Sequence, residues 1–273
     1  MKYKKTLILG MSVSSILLLG NMNSYANTNN IQNANIEKSN YLSEDGMSRL
    51  GTASSQTVSK SVGGITYSGH TVISTIAGGK AKATSVVSTN KTAPSGYIGA
   101  HTAVYREGTG SAVSSSSWTY NKSSGTYIQA NSSYGSAQKG QKFRAKGTMK
   151  SYNPSNGSYV GTSLNASPYS TYSLNSDDEF LSYKTMELTI PDKEVQERVE
   201  MYENKRMIAA EGLNGKEGYI SLEDMGVYEN PSSPEEAIKL QEERIQKYGD
   251  YKDINLYEKD GKTVIDTFRV WNK

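Results

Sequence analysis

Between residues 61 and 173 the chain is written in short alternating runs of Ser, Thr, Gly and Tyr, with almost no apolar recurrence at helical spacing. Strand side chains alternate between two faces, so Y-I-G-A-H-T-A-V-Y-R sets Ile98, Ala100, Thr102 and Val104 against Tyr97, Gly99, His101 and Tyr105. S-S-W-T-Y, N-K-S-S-G and T-Y-I-Q-A in succession predict a hairpin whose loop carries Asn121 and Gly125. K-F-R-A-K-G-T-M-K-S-Y and G-S-Y-V-G-T-S-L predict two more strands joined at N-P-S-N-G, a strong turn sequence. Short, frequent strands of this kind predict an antiparallel sandwich or barrel. Aliphatic residues are few, so Tyr, Trp118 and Phe143 are expected to supply much of the core.

Residues 174–273 have a different texture. Y-K-T-M-E-L-T-I predicts a strand, and Asp192 caps a helix bearing Val195, Val199 and Tyr202 on one side. R-M-I-A-A-E-G-L-N-G-K-E-G-Y-I-S-L-E-D predicts a hairpin turning at Asn214-Gly215. Ser233-Pro234-Glu235-Glu236 has the form of a capping box with Pro at the first helical position, and its helix runs to Gly249. Asp260-Gly261 predicts a second hairpin with a type I′ turn. The fold class is therefore a mainly β amino-terminal module, an antiparallel sandwich or barrel, followed by a small α+β module.

The opening residues bound the compartment. M-K-Y-K-K precedes a short apolar run, and Ser24-Tyr25-Ala26 ends it with small residues at the two positions a signal peptidase reads. Residues 1–26 are expected to be a secretory signal peptide cut before Asn27, and the Asn/Ser-rich residues 27–60 a flexible leader. There are no Cys residues, which removes disulfides and thiolate ligands together. The expectation is a soluble, secreted protein whose association with a cell wall would be non-covalent.

Charge divides the chain more sharply than its total shows. The formal net charge is +3, yet residues 61–173 hold 10 Lys or Arg against the single acid Glu107, and residues 174–273 hold 14 against 23 acids. The division sets a basic module, 61–173, against an acidic one, 174–273, which invites docking of one on the other. Within the basic module, K-F-R-A-K-G-T-M-K places Lys142, Arg144, Lys146 and Lys150 on one strand face, and Phe143, Ala145, Gly147 and Met149 on the other.

Two resemblances attach to these residues. G-Y-I-G-A-H-T-A-V-Y, S-S-S-S-W-T-Y-N, F-R-A-K-G and N-A-S-P-Y resemble an uncharacterised family of exported Gram-positive (Bacillus-type) proteins that pair a G-Y-x-G opening with a W-x-Y-N hairpin. E-G-Y-I-S-L-E-D, N-P-S-S-P-E-E-A-I and I-N-L-Y-E-K-D-G-K-T-V-I-D-T-F resemble a small carboxyl-terminal module of secreted Bacillus-type proteins. These resemblances imply export and the two-part architecture, and carry no catalytic residues.

Catalytic chemistry finds little purchase. Only His70 and His101 offer an imidazole base, a Ser-His-acid set in the basic module would have to use Glu107, and no G-x-S-x-G is present. His101 is expected on a solvated strand face. No metal-ligand spacing, calcium loop or phosphate-binding glycine motif occurs, so the reading is no enzyme, no cofactor and no metal. Binding remains, with Lys142, Arg144, Lys146 and Lys150 as the contact row for an anionic envelope polymer, either teichoic acid or anionic lipid. Nucleic acid is a poorer match. The alternative is a secreted bacteriocin-like or membrane-active toxin, because a Cys-free, cationic β module behind a signal peptide fits that description too.

Overall fold

The computed structural model describes residues 49–172, 192–227 and 229–272. The expected signal peptide, most of the expected leader and the strand expected over residues 183–190 lie outside the described residues. Along the chain come β1 (Arg49–Ser54), β2 (Val58–Val62), β3 (Ile65–Ile76), β4 (Lys80–Ala93), β5 (Ile98–Arg106), β6 (Ala112–Ser116), β7 (Thr119–Tyr120), β8 (Gly125–Tyr134), β9 (Lys142–Asn153), β10 (Ser158–Ser163) and β11 (Ser170–Thr171). Then follow α1 (Asp192–Lys205), β12 (Met207–Glu211), β13 (Glu217–Ser221), α2 (Pro234–Tyr248), β14 (Tyr251–Tyr257) and β15 (Val264–Trp271).

The strands build two sheets. In the five-stranded sheet β3 carries β1 and β2 along one edge and β4 on the other, with β8 beyond β4. In the ten-stranded sheet the order is β10-β9-β5-β6-β12-β13-β14-β15, with β11 on β9 and β7 on β5. The sheets face each other as a sandwich. Ile73, Ala83 and Tyr134 from one pack on Val104, Phe143 and Ala145 from the other, and Tyr67, Val87 and Ile128 pack on Ile98, Ala100 and Met149. The mainly β fold read from the alternating runs is the observed one.

A second closure lies within the larger sheet. β6 pairs with β12 through Ala112↔Ala210 and with β15 through Val270↔Ser115 and Trp271↔Ser116, both in parallel. Since β12, β13, β14 and β15 are themselves joined in antiparallel succession, β6 closes a five-stranded ring. Ala112, Ile208, Ile220, Leu256, Phe268 and Val270 form its core. One strand of the basic half is thus a structural member of the acidic half's barrel.

Several local expectations hold. β9 and β10 form the hairpin at N-P-S-N-G, and β12 and β13 the one at Asn214-Gly215, with Gly215 at φ 78°. Ser233 caps α2 by accepting from the Glu236 backbone N–H at 3.2 Å, and the Glu236 carboxylate reaches back to the Ser232 N–H at 2.6 Å.

Others are corrected. The flexible leader's last residues, 49–60, instead hold β1 and the start of β2: Ala53 is buried inward, and Ser59 is hydroxyl-bonded to Ser68 at 2.8 Å. S-S-W-T-Y and T-Y-I-Q-A do not pair. β7 joins β5 and β8 joins β4, because the Asn121 amide ties itself to the Ile98 N–H and the Pro94 carbonyl, leaving N-K-S-S-G as a crossover between sheets. β14 and β15 do form a hairpin, but without a type I′ turn. The Asp260 carboxylate accepts from the Lys262 and Thr263 N–H groups, and Arg206 is the one described non-glycine residue at positive φ.

Candidate functional site

The alternation of β9 places Phe143, Ala145, Gly147 and Met149 in the sandwich and Lys142, Arg144, Lys146 and Lys150 on the opposite face, as the sequence indicates. The four cations share that face but not their surroundings. Lys142, at the open end, pairs with Glu107 at 3.2 Å. Arg144 is half-buried with its guanidinium 4.9 Å from the Tyr169 ring centre. Lys146 is half-buried, its ammonium 4.1 Å above the Tyr105 ring. Lys150 is 8 % exposed, sits 4.2 Å above Trp118, and donates to the Glu229 carbonyl at 2.5 Å. Burial pushes the Lys146 amine down to about 7, helped by Arg144 and Arg198. It pushes Lys150 down to about 8 against the opposing pull of Glu229.

The acidic half covers the inner end of this row. Arg244 of α2 pairs with Glu229 at 2.6 Å and donates to the Trp118 carbonyl at 2.5 Å. The Tyr120 N–H donates to the Gln241 side-chain oxygen, and the Trp118 indole donates to the Val227 carbonyl. Tyr97, Tyr152, Tyr159, Tyr120, Trp118 and His101 form an unbroken series of rings with centres 4.9–6.3 Å apart. Sequence reasoning missed Trp118, Glu229 and Arg244 because nothing local links them. Trp118 lies 109 residues from its Val227 partner.

His101 corrects an expectation. It is 2 % exposed, because β5 is buried on both faces and not solvated on one. Its Nε2 lies 3.1 Å from Ser115 Oγ, and among the described residues its Nδ1 has no hydrogen-bond partner. Burial and the Lys150 charge push its pKa down to about 4, so the ring is neutral at pH 7. A nucleophilic triad would need a carboxylate on Nδ1. Glu107, the only acid of the basic half, is instead held by Lys142.

Two further places offer themselves. A cleft of about 780 Å³ lies between α1 and the barrel, where Glu197 is already bonded to Tyr219 and Lys259, each at 2.8 Å. No three His, Asp or Glu among the described residues converge as a metal site. The other place is the outer face of the five-stranded sheet, whose strands contain no carboxylate at all. Many of its outward positions are hydroxyls and amides bonded across strands, Ser61 to Thr66 at 2.9 Å and Thr84 to Asn131 at 2.9 Å, with Val72, Val86 and the exposed Tyr127 between them. Lys80, Lys82 and His70 stand half-buried among them.

Comparison of the chain with protein-family models, with curated proteins and with solved structures finds no match.

Proposed function

We propose that this is an exported, non-enzymatic protein that binds anionic cell-envelope polymers, and that the surface it presents is the outer face of the five-stranded sheet. One observation carries the reading: five adjacent strands present rows of hydroxyl and amide side chains with Lys80 and Lys82 and without a single Asp or Glu. A polyol chain bearing phosphates needs donors and acceptors at regular spacing plus positive charge, and meets no carboxylate from these five strands. A half-buried cation at the edge of solvent adds about 1 kcal/mol or less, so affinity would come from many repeats bound together and would weaken as salt rises. The β9 row does not act as one contact line, since Lys150 is engaged internally. The signal-peptide layout of residues 1–26 and the resemblance to exported Gram-positive proteins support the compartment.

The test uses the whole chain, because the two halves share β6. Purified Gram-positive walls with and without teichoic acid are titrated across a salt series. Binding that requires the polymer, falls with salt and is lost on charge reversal of Lys80 and Lys82 supports the reading. Equal binding to stripped walls, or binding indifferent to salt, overturns it.

A further inference from the structure

Lys146 differs from the other half-buried or buried cations whose partners are known. Arg106 pairs with Glu211, Lys142 with Glu107, Arg244 with Glu229, and Lys150 donates to a carbonyl. Among the described residues no carboxylate pairs with Lys146, and the charges acting on its amine are the guanidiniums of Arg144 and Arg198. Beneath it lies Tyr105, 2 % exposed, whose buried hydroxyl has no hydrogen-bond partner among the described residues. A buried hydroxyl left unpaired costs about 1–3 kcal/mol. Arg144 stands directly across from Tyr105 in the β5–β9 ladder. Arg198 enters from α1, anchored by the Thr109 carbonyl at 2.7 Å and by Glu194 at 2.6 Å.

We propose that Lys146, Tyr105 and Arg198, with the charge of Arg144, form a binding site for a phosphate group on the flank of β9. The set offers a phenol O–H, an ammonium and a guanidinium, all donors, from β5, β9 and α1. It suits a ligand that is all acceptors, and donors arriving from three elements fit tetrahedral oxygens better than the plane of a carboxylate. The site deepens the polymer-binding reading, since a phosphodiester repeat carries the same oxygens, but it stands on different residues from the open sheet face.

Among the described residues, the charged and titratable groups facing the Lys146 amine are Tyr105 from β5, Arg144 from its own strand and Arg198 from α1, the last also held by Glu194. An amine pushed down to about 7 is largely neutral in mild alkali and reacts readily with an acylating reagent. A bound phosphate favours the ammonium and raises the pKa, so occupancy takes up a proton and suppresses acylation.

The experiment is trace acetylation of the folded chain with acetic anhydride, scored per lysine by mass spectrometry, with inorganic phosphate against chloride at equal ionic strength. Phosphate is expected to lower Lys146 labelling about tenfold in mild alkali, corresponding to a rise of more than one pH unit, while labelling of the exposed Lys239 on α2 is unchanged. Arg198→Gln and the conservative Tyr105→Phe should each weaken that protection. Equal phosphate dependence of Lys146 and Lys239, or full protection retained in both variants, overturns the site. A poly(glycerol phosphate) arm separates the sources: protection by both means that the site accepts a polymer's phosphodiester, and protection by inorganic phosphate alone means that it takes the free ion. The Lys80/Lys82 reversal should lose wall binding yet keep Lys146 protected, so each idea can fail without the other.

Discussion

Gly147 sits where the facing sheet leaves no room for a side chain. A Cβ there would lie 1.9 Å from Ser85 Oγ and 2.8 Å from the His101 carbonyl oxygen. Gly147→Ala is expected to destabilise the fold by about 3 kcal/mol. Adding Ser85→Ala should recover part of that loss and no more, since the clash with backbone remains; thermal unfolding of the two variants decides it. Lys150 makes the complementary case. Its stem and amine fill the space over Trp118, so Lys150→Ala, which leaves a cavity, should be clearly destabilising, and Lys150→Met, which keeps the stem, less so in urea titrations. The inward and outward positions of β9 were legible residue by residue in K-F-R-A-K-G-T-M-K. What covers the outward ones was not, because a cation at alternate spacing looks the same whether it meets water or an aromatic ring. Tyr105 could be matched to its neighbour Arg144 only once the β5–β9 register was known.

At the scale of elements, signals that act within a few residues were legible and those that act between strands were not. Ser233 announced α2, and Ser233→Ala should cost about 1 kcal/mol, visible as a lower unfolding midpoint. N-P-S-N-G announced the β9–β10 hairpin. N-K-S-S-G misled, because the long-range bonds of Asn121 decide where β7 pairs. β6 was the least legible element, since A-V-S-S-S does not look like a central strand. Its hydroxyls are met one by one: Ser114 by Ser132 at 2.7 Å, Ser115 by His101 at 3.1 Å, and Ser116 by the Thr102 N–H at 2.9 Å. The candidate phosphate site was half legible for the same reason, with Lys146 in a visible pattern but Arg198 delivered by a helix from the other half. A fragment of residues 192–272 is expected to stay unfolded, with a poorly dispersed amide NMR spectrum, because it lacks the strand that closes its ring. A dispersed, folded spectrum would show that β6 is dispensable.

For the whole molecule, the buried titratable groups set how stability follows pH. His101 falls from 6.5 to about 4 on folding, so the unfolded chain binds the proton first and stability drops as pH falls through that window. Lys146 and Lys150, at about 7 and about 8 against 10.5, make stability rise with pH from neutrality to that value. Tyr67 and Tyr134, raised from 10.0 to about 12, reverse the trend above 10 because the unfolded chain ionises first. Thermal midpoints measured across pH should therefore peak in the alkaline range, at about pH 9–10, and Lys150→Met should flatten the rise. The ring closed by β6 adds a consequence in time. A ribosome delivers Ala112–Ser116 long before Val270 and Trp271, which complete its pairing. Until the last strand arrives, β6 offers an open edge, so a nascent or slightly shortened chain is a substrate for chaperones and proteases long after most of its sandwich has been synthesised.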